Sequence, residues 1–345
     1  MKTLIKKHAQ KGLCLEEVPT PSPGLHDILI RVLRTSLCGT DLSIYQSGEE
    51  SQSALSLPLI IGHEFVGEIV KTCPILQGQG YKIGQIVSGE THITCGVCVP
   101  CVAGHRHQCL RGTYVGINRP GAFAEYIVLP ASAVWVHPST INLDIATLFE
   151  PLGNAVNAAL QFTLLGKAVL ITGASPEGLM AGAVCRHAGA RHVVIIDQSF
   201  QKLRLALSLG ATHVINSDED DIDDVKQGLG LHNGFDIGLE MSGNPAAYSV
   251  QFSHIKQQGE IVMVGVPNAP QLMDWRSVIF KQLTVKGVYG RAMPGTWQRM
   301  SELIESGLDL SPIITKRVHY TAFEEGFEAL RRAVPGKVIM NWETE

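Results

Sequence analysis

Ala168-Val169-Leu170-Ile171-Thr172-Gly173-Ala174-Ser175-Pro176-Glu177-Gly178 is the run on which the fold turns. Five apolar or β-branched residues read as a short strand, a glycine-bearing turn follows, and residues 178–189 carry helical spacing. A second apolar strand, His192-Val193-Val194-Ile195-Ile196-Asp197, leads into a helix over 200–209. Strands that are apolar throughout, alternating with helices, are the pattern of a parallel sheet buried on both faces. The pattern continues through Phe235-Asp236-Ile237-Gly238-Leu239-Glu240 and Gly259-Glu260-Ile261-Val262-Met263-Val264-Gly265.

The turn 173–178 stands where a dinucleotide-binding fingerprint G-x-G-x-x-G would stand. In that motif the first Gly makes the turn, the second lets backbone approach a pyrophosphate, and the third packs the helix on the strand. The pyrophosphate then meets the free N–H groups of a helix N-terminus. Gly173 and Gly178 fill the outer positions and Ser175 the middle one, where its Cβ either crowds the phosphates or, being part of a small side chain, is tolerated. Glu177 sets a carboxylate beside them. Asp197 ends the second strand, nineteen residues after Gly178. A carboxylate there accepts hydrogen bonds from the ribose hydroxyls and repels a 2′-phosphate, which favours NAD over NADP. Lys202 neighbours the same ribose. The alternative for Asp197 is a turn or helix cap.

Outward from this block, residues 1–150 read as β-rich, with short apolar runs such as Asp27–Leu33 and Gly67–Val70 broken by Pro and Gly. From about 295 the text returns to a helix and short strands. Three segments are expected: 1–150, 151–293 and 294–345, the last folding back onto the first. With 345 residues, 45% hydrophobic and 17% charged, the chain can bury large cores and is not disordered. A net charge of −4 gives no footprint for nucleic acid. No apolar run reaches the ~20 residues that span a bilayer, and Met1-Lys2-Thr3-Leu4-Ile5-Lys6-Lys7 is not a secretory leader. A cytoplasmic protein with reduced thiols is expected.

Four of the eight cysteines crowd into one lobe, about 92–112, as Cys95-x2-Cys98-x2-Cys101-x7-Cys109. Four thiolates at such spacing suit a closed, structural zinc; four free thiols or an iron–sulfur cluster are the alternatives. Cys38-Gly39-Thr40-Asp41 and Gly62-His63-Glu64 each follow an apolar strand. A lone cysteine or histidine is more often core than ligand.

Together these segments resemble the zinc-dependent medium-chain alcohol dehydrogenases. The likeness is strongest to threonine dehydrogenases, through Ser88-Gly89-Glu90-Thr91-His92-Ile93-Thr94-Cys95-Gly96, Val115–Tyr126, Glu150-Pro151-Leu152-Gly153-Asn154-Ala155-Val156, Gly287-Val288-Tyr289-Gly290-Arg291 and Ser306–Thr315. The resemblance implies an α/β chain with a GroES-like β-rich catalytic domain and a Rossmann NAD-binding domain. It implies two zinc ions per chain: a catalytic one on Cys38, His63 and Glu64, with Glu150 as an exchangeable ligand and Glu64 either alternating with water or standing behind the ligands, and a structural one in the cysteine lobe. It adds Val264, Gly265, Val288 and Tyr289 to the NAD site. A catalytic zinc keeps an open place and makes a substrate hydroxyl easier to deprotonate. Thr40 then relays the proton, or is a buried turn hydroxyl. His92 lines the pocket, or serves as a supporting or surface histidine. Relatives form homotetramers, and the strand near Thr284–Val288 is the candidate contact.

The chain departs from threonine dehydrogenases at several points. Ser43 stands where a histidine finishes the proton relay, and it has no group titrating near neutral pH. Ser47-Gly48-Glu49-Glu50 replaces a Trp-Asp-Glu-Trp run, so two indoles are missing from the expected pocket. Gln85 replaces a turn Asp. The implied reaction is NAD-dependent oxidation of the β-hydroxyl of L-threonine to 2-amino-3-oxobutyrate. Another small-molecule alcohol, such as a polyol or another β-hydroxy amino acid, and a zinc- and NAD-binding protein without turnover are the other readings.

Overall fold

The computed structural model describes residues 1–48 and 56–343. The chain forms two compact units, one of 1–150, 292–297 and 314–345, the other of 151–291 and 298–313.

In the second unit six strands lie parallel in the order His213–Asn216, His192–Asp197, Ala168–Thr172, Phe235–Glu240, Ile255–Met263, Thr284–Gly287. All five residues of Ala168–Thr172 are buried, because helices cover both faces of a central parallel strand. The chain builds outward from this strand to one side and then, from Phe235, to the other. That reversal opens a crevice at the carboxyl ends of the two central strands. Pro176–His187 and Phe200–Ser208 are the expected helices, two residues earlier at both ends and one shorter at the end respectively. The strand expected at 259–265 begins earlier, at Ile255, and ends at Met263.

The first unit is built on a mixed sheet. Its spine is Asp27–Leu37, eleven residues long, which pairs antiparallel with Glu64–Lys71, Tyr126–Pro130 and Lys337–Asn341. Beyond Lys337–Asn341 lies Ile314–His319 in parallel, and beyond Glu64–Lys71 lie Ile86–Gly89 and Val134–Val136. Ile28, Ile30, Phe65, Phe123 and Leu129 are fully or almost fully buried in its core. Each such side chain contributes about 1.5–3 kcal/mol relative to exposure.

The terminal segment does not return as one piece. Residues 298–313 belong to the second unit, and only 292–297 and 314–345 rejoin the first. The helix Gly295–Glu305 runs from one unit into the other, and Trp297 and Met300 on it are both fully buried. Among the described residues no helix is long and apolar enough to cross a membrane.

Candidate metal centre and dinucleotide site

Strand register assembles the metal centre. Ser36 sits opposite Glu64 in the sheet, so Cys38, just past the end of one strand, meets His63, just before the start of its neighbour. Gly62 has φ +89°, and a Cβ there would lie 2.1 Å from the Phe123 ring, so only glycine makes the turn that aims His63. Cys38 Sγ lies 3.3 Å from His63 Nε2. Ligand atoms of Cys38, Asp41 and His63 fall within 4.8 Å of one another, and so do those of His63, Glu64 and Glu150. Glu150, second residue of the helix Phe149–Ala159, is buried and accepts a 2.8 Å hydrogen bond from Thr91 Oγ1.

The donor set suits a metal. Burial, with the Asp41 carboxylate next, pushes the Cys38 thiol up to about 11. Burial alone would depress His63, but Cys38 and Asp41 outweigh it and raise it well above the ordinary value. A cation that displaces these protons relieves a buried, proton-filled cluster, so its uptake strengthens as pH rises. His63 Nδ1 and Asp41 Oδ1 are buried without hydrogen-bond partners and face each other at 3.7 Å. A carboxylate behind the ligating imidazole fixes its tautomer once the other nitrogen binds metal.

The cysteine lobe brings all four Sγ atoms within 4.8 Å of one another. Backbone N–H groups of Cys95 and Arg111 point at Cys109 Sγ at 3.3 and 3.4 Å. Backbone N–H groups, that of Val97 foremost, lower the Cys95 thiol to about 6, whereas burial raises Cys101 to about 11. Amide donors around a sulfur cluster stabilise thiolates, and four protein sulfurs leave no open position.

The crevice of the second unit holds a cavity of about 260 Å³ lined by Gly173, Asp197, Lys202, Ser217, Ser242 and Asn244, among others. A Cβ on Gly178 would lie 2.1 Å from Gly173 O, so the turn and the helix close on each other. Ser175 does not strain the turn. Its backbone is extended (φ −64°, ψ 164°) and its hydroxyl caps the helix by accepting from Gly178 N–H at 3.2 Å. Glu177 is half-buried in the first helical turn. Asp197 serves as a turn residue, its oxygens accepting from Ala174 N–H at 2.8 Å and Ser199 N–H at 2.9 Å, and it also lines the cavity with Lys202 Nζ 3.8 Å away. Val264 and Gly265 follow Ile255–Met263 and turn back to Glu240 O at 3.0 and 3.1 Å. Val288 N–H bonds Met263 O at 3.0 Å, and Tyr289 is exposed. A larger cavity, about 680 Å³, lies in the first unit among Arg34, Asp144, Arg317 and Asn341. Its charges are spent on one another, Arg317 on Asp144 at 2.8 Å and Arg34 on Glu343.

Residues 24–139 match the alcohol dehydrogenase GroES-like domain and residues 176–306 the zinc-binding dehydrogenase domain. The L-threonine 3-dehydrogenase of Solibacter usitatus is 50% identical over 99% of this chain and 100% of its own. That of Pectobacterium atrosepticum is 49% identical over 99% of this chain and 94% of its own. Among solved structures, galactitol-1-phosphate dehydrogenase from Escherichia coli superposes with a TM-score of 0.89 at 26% identity, over 99% of this chain and 100% of that one. The chain belongs to the zinc-dependent medium-chain dehydrogenases. The fold is accordingly a GroES-like unit with a Rossmann unit, and the cofactors of this dehydrogenase are zinc and a nicotinamide dinucleotide.

The remaining predicted residues of the dehydrogenase fall unevenly around the centre. Thr40 is exposed in the first turn of the helix Gly39–Gln46, which removes the buried-hydroxyl alternative. Ser43 is exposed one turn on, its hydroxyl donating to Gly39 O at 3.0 Å. His92 is half-buried, edge-on to Tyr114 at 4.3 Å, with its N–H on Glu90 at 3.1 Å. Ser47 and Gly48 are described; Glu49 and Glu50 lie outside the described residues. Gln85 takes over the work of the usual Asp, its side chain accepting from Lys82 N–H at 2.7 Å. Three residues were missed as site residues. Asp41 is fully buried behind His63, Thr91 holds Glu150, and Lys337 reaches Glu64. Asp41 had a signal, a carboxylate three residues past a ligand at a helix start. Lys337 had none, being 273 residues from its partner.

Proposed function

We propose that this dehydrogenase oxidises L-threonine at its secondary hydroxyl, giving 2-amino-3-oxobutyrate, NADH and a proton. The observation that carries it is the 50% identity, end to end, to an L-threonine 3-dehydrogenase.

Cys38, His63 and Glu150 would hold the catalytic zinc, with Glu64 beside them and off the ion. Cys95, Cys98, Cys101 and Cys109 would hold the structural one. When bound, zinc favours the alkoxide form of the substrate hydroxyl and NAD accepts its hydride. Asp41 holds the His63 ring in one orientation, and Thr91 does the same for Glu150. Thr40 takes the hydroxyl proton toward solvent. Water carries it on in place of an imidazole, because the Ser43 hydroxyl already donates its hydrogen to Gly39 O. His92 borders the substrate. Gly173, Ser175 and Gly178 receive the pyrophosphate, Asp197 and Lys202 the adenosine ribose, and Val264, Gly265, Val288 and Tyr289 the nicotinamide side.

A homotetramer completes the reading. Trp275, Ile279 and Phe280 are exposed on the helix Trp275–Phe280, beside the edge strand Thr284–Gly287. An edge strand beside exposed aromatic side chains invites pairing with a second copy. All eight cysteines are free, which fits the cytoplasm.

One observation favours a second reading, another secondary alcohol. Ser47 and Gly48 begin the stretch in which the resemblance leads one to expect a tryptophan-flanked run, and neither brings an aromatic side chain. NADH absorbance with zinc-loaded protein and NAD separates the two. Turnover of L-threonine above that of polyols and other β-hydroxy amino acids supports the first reading. A better polyol, or no turnover of threonine, overturns it.

A further inference from the structure

The buried ion pair between Lys337 and Glu64 has no place in the chemistry above. Lys337 Nζ lies 2.8 Å from Glu64 Oε1 and 2.5 Å from Oε2, with side-chain exposures of 2% and 1%. The Ser36 hydroxyl donates to the same carboxylate at Oε2. Three adjacent strands bring the groups together. Ser36 is opposite Glu64 on one side of Asp27–Leu37, and Val338, next to Lys337, is opposite Leu37 on the other. Both oxygens of Glu64 are thus engaged by donors behind it, although the carboxylate is within 4.8 Å of the ligand atoms of His63 and Glu150.

Charge balance gives the arrangement a purpose. Cys38 as thiolate, Glu64, Glu150 and the Asp41 carboxylate behind His63 bring up to four negative charges to a buried site that takes a divalent cation. The Lys337 ammonium offsets one of them, and buried charge left unbalanced is costly. Without the ammonium, the cheapest remedy is for Glu64 to move onto the cation. A fourth protein ligand would then convert an open site into a closed one.

We propose that Lys337 is a positioning residue that holds Glu64 back from the metal and so keeps its fourth place open for substrate. The proposal rests on the reading of Cys38, His63 and Glu150 as the catalytic zinc site. It does not depend on which alcohol is oxidised.

Release of zinc to a chromophoric chelator tests it, with the Cys38→Ser variant marking which release phase belongs to this site. Lys337→Met should slow that phase about tenfold, the lower end of what partners behind metal ligands contribute. It should also lower kcat while leaving NAD affinity unchanged. In cobalt-substituted protein its visible bands should stop responding to added alcohol. Lys337→Arg should restore the parent behaviour. The double variant Lys337→Met with Glu64→Gln should return the release rate toward that of the parent, because the neutral amide is a poorer ligand. Unchanged or faster release from Lys337→Met, or a cobalt spectrum that still responds to alcohol, overturns the proposal and leaves Lys337 a packing residue. Should Lys337→Met fail to fold, Ser36→Ala loosens the same carboxylate and should slow release to a smaller degree; faster release there overturns the proposal equally. None of the zinc readouts uses threonine, so failure of threonine turnover and failure of this inference are separate results.

Discussion

His137 should make the first unit sensitive to mild acid. Its Nε2 lies 2.8 Å from Ser88 Oγ, and that hydroxyl already donates to Ala146 O at 2.8 Å. Ser88 therefore accepts, Nε2 carries the hydrogen, and Nδ1 is the bare nitrogen. Nδ1 is buried with no partner, and the ring packs edge-on against Phe149 at 4.5 Å. A proton placed there would find no acceptor, and burial depresses the group from 6.5 to about 3. The folded state thus binds fewer protons than the unfolded chain between these values, so stability is full above pH 6.5 and falls as pH drops through the window toward 3. Between pH 7 and pH 5 the unfolded histidine gains its proton and the folded one does not, which costs about 2 kcal/mol. Urea unfolding followed by tryptophan fluorescence measures it. Three of the four tryptophans, Trp135, Trp297 and Trp342, lie in the first unit. The parent should lose about 2 kcal/mol more than His137→Gln between the two pH values, since the amide can keep the Ser88 bond and does not titrate. Parallel pH profiles for the two proteins would refute the argument.

Two further outcomes follow from the geometry. Cys38→Ser should remove one zinc per chain and all turnover while leaving the melting temperature near that of the parent. Cys98→Ser should remove the other zinc and lower the melting temperature, because a closed structural site contributes folding free energy; metal analysis with calorimetry checks the division, and equal melting shifts would contradict it. Gly178→Ala forces a Cβ to 2.1 Å from Gly173 O. It should weaken NAD at least about tenfold and destabilise the second unit by about 1–3 kcal/mol. An unchanged dissociation constant by titration calorimetry would show that the turn is not the pyrophosphate seat.

What could be read in the sequence was whatever is written locally. The Ala168–Thr172 strand announces itself because a strand buried on both faces needs a continuous apolar run. The cysteine lobe is legible because four ligands to one ion must sit within a few turns of chain. The role of Ser175 as a helix cap is not legible, because side-chain identity does not reveal backbone conformation; its hydroxyl caps the helix at ordinary angles. The division of the terminal segment was also hidden. Nothing in residues 298–313 distinguishes a helix and turn that pack on one unit from those that pack on the other, since both faces ask for apolar cover. Lys337 shows the same limit more sharply. A lysine near the end of a chain normally reads as solvated surface, and only the order of strands places it against Glu64.

The same strand order sets a timetable for the ribosome. Lys337–Asn341 lies inside the sheet of the first unit, between Asp27–Leu37 and Ile314–His319. A chain made from its N-terminus at ~5–20 residues per second therefore carries its first 150 residues for many seconds with that sheet lacking an inner member. Ser36 and Glu64 wait through this interval without the ammonium that balances them. All six parallel strands of the second unit have by then been synthesised, the last ending at Gly287. The half of the metal centre encoded first is thus among the last parts of the molecule to be completed, and a nascent chain stalled before residue 337 would present thiol, imidazole and carboxylates to passing metal ions with the sheet around them still open.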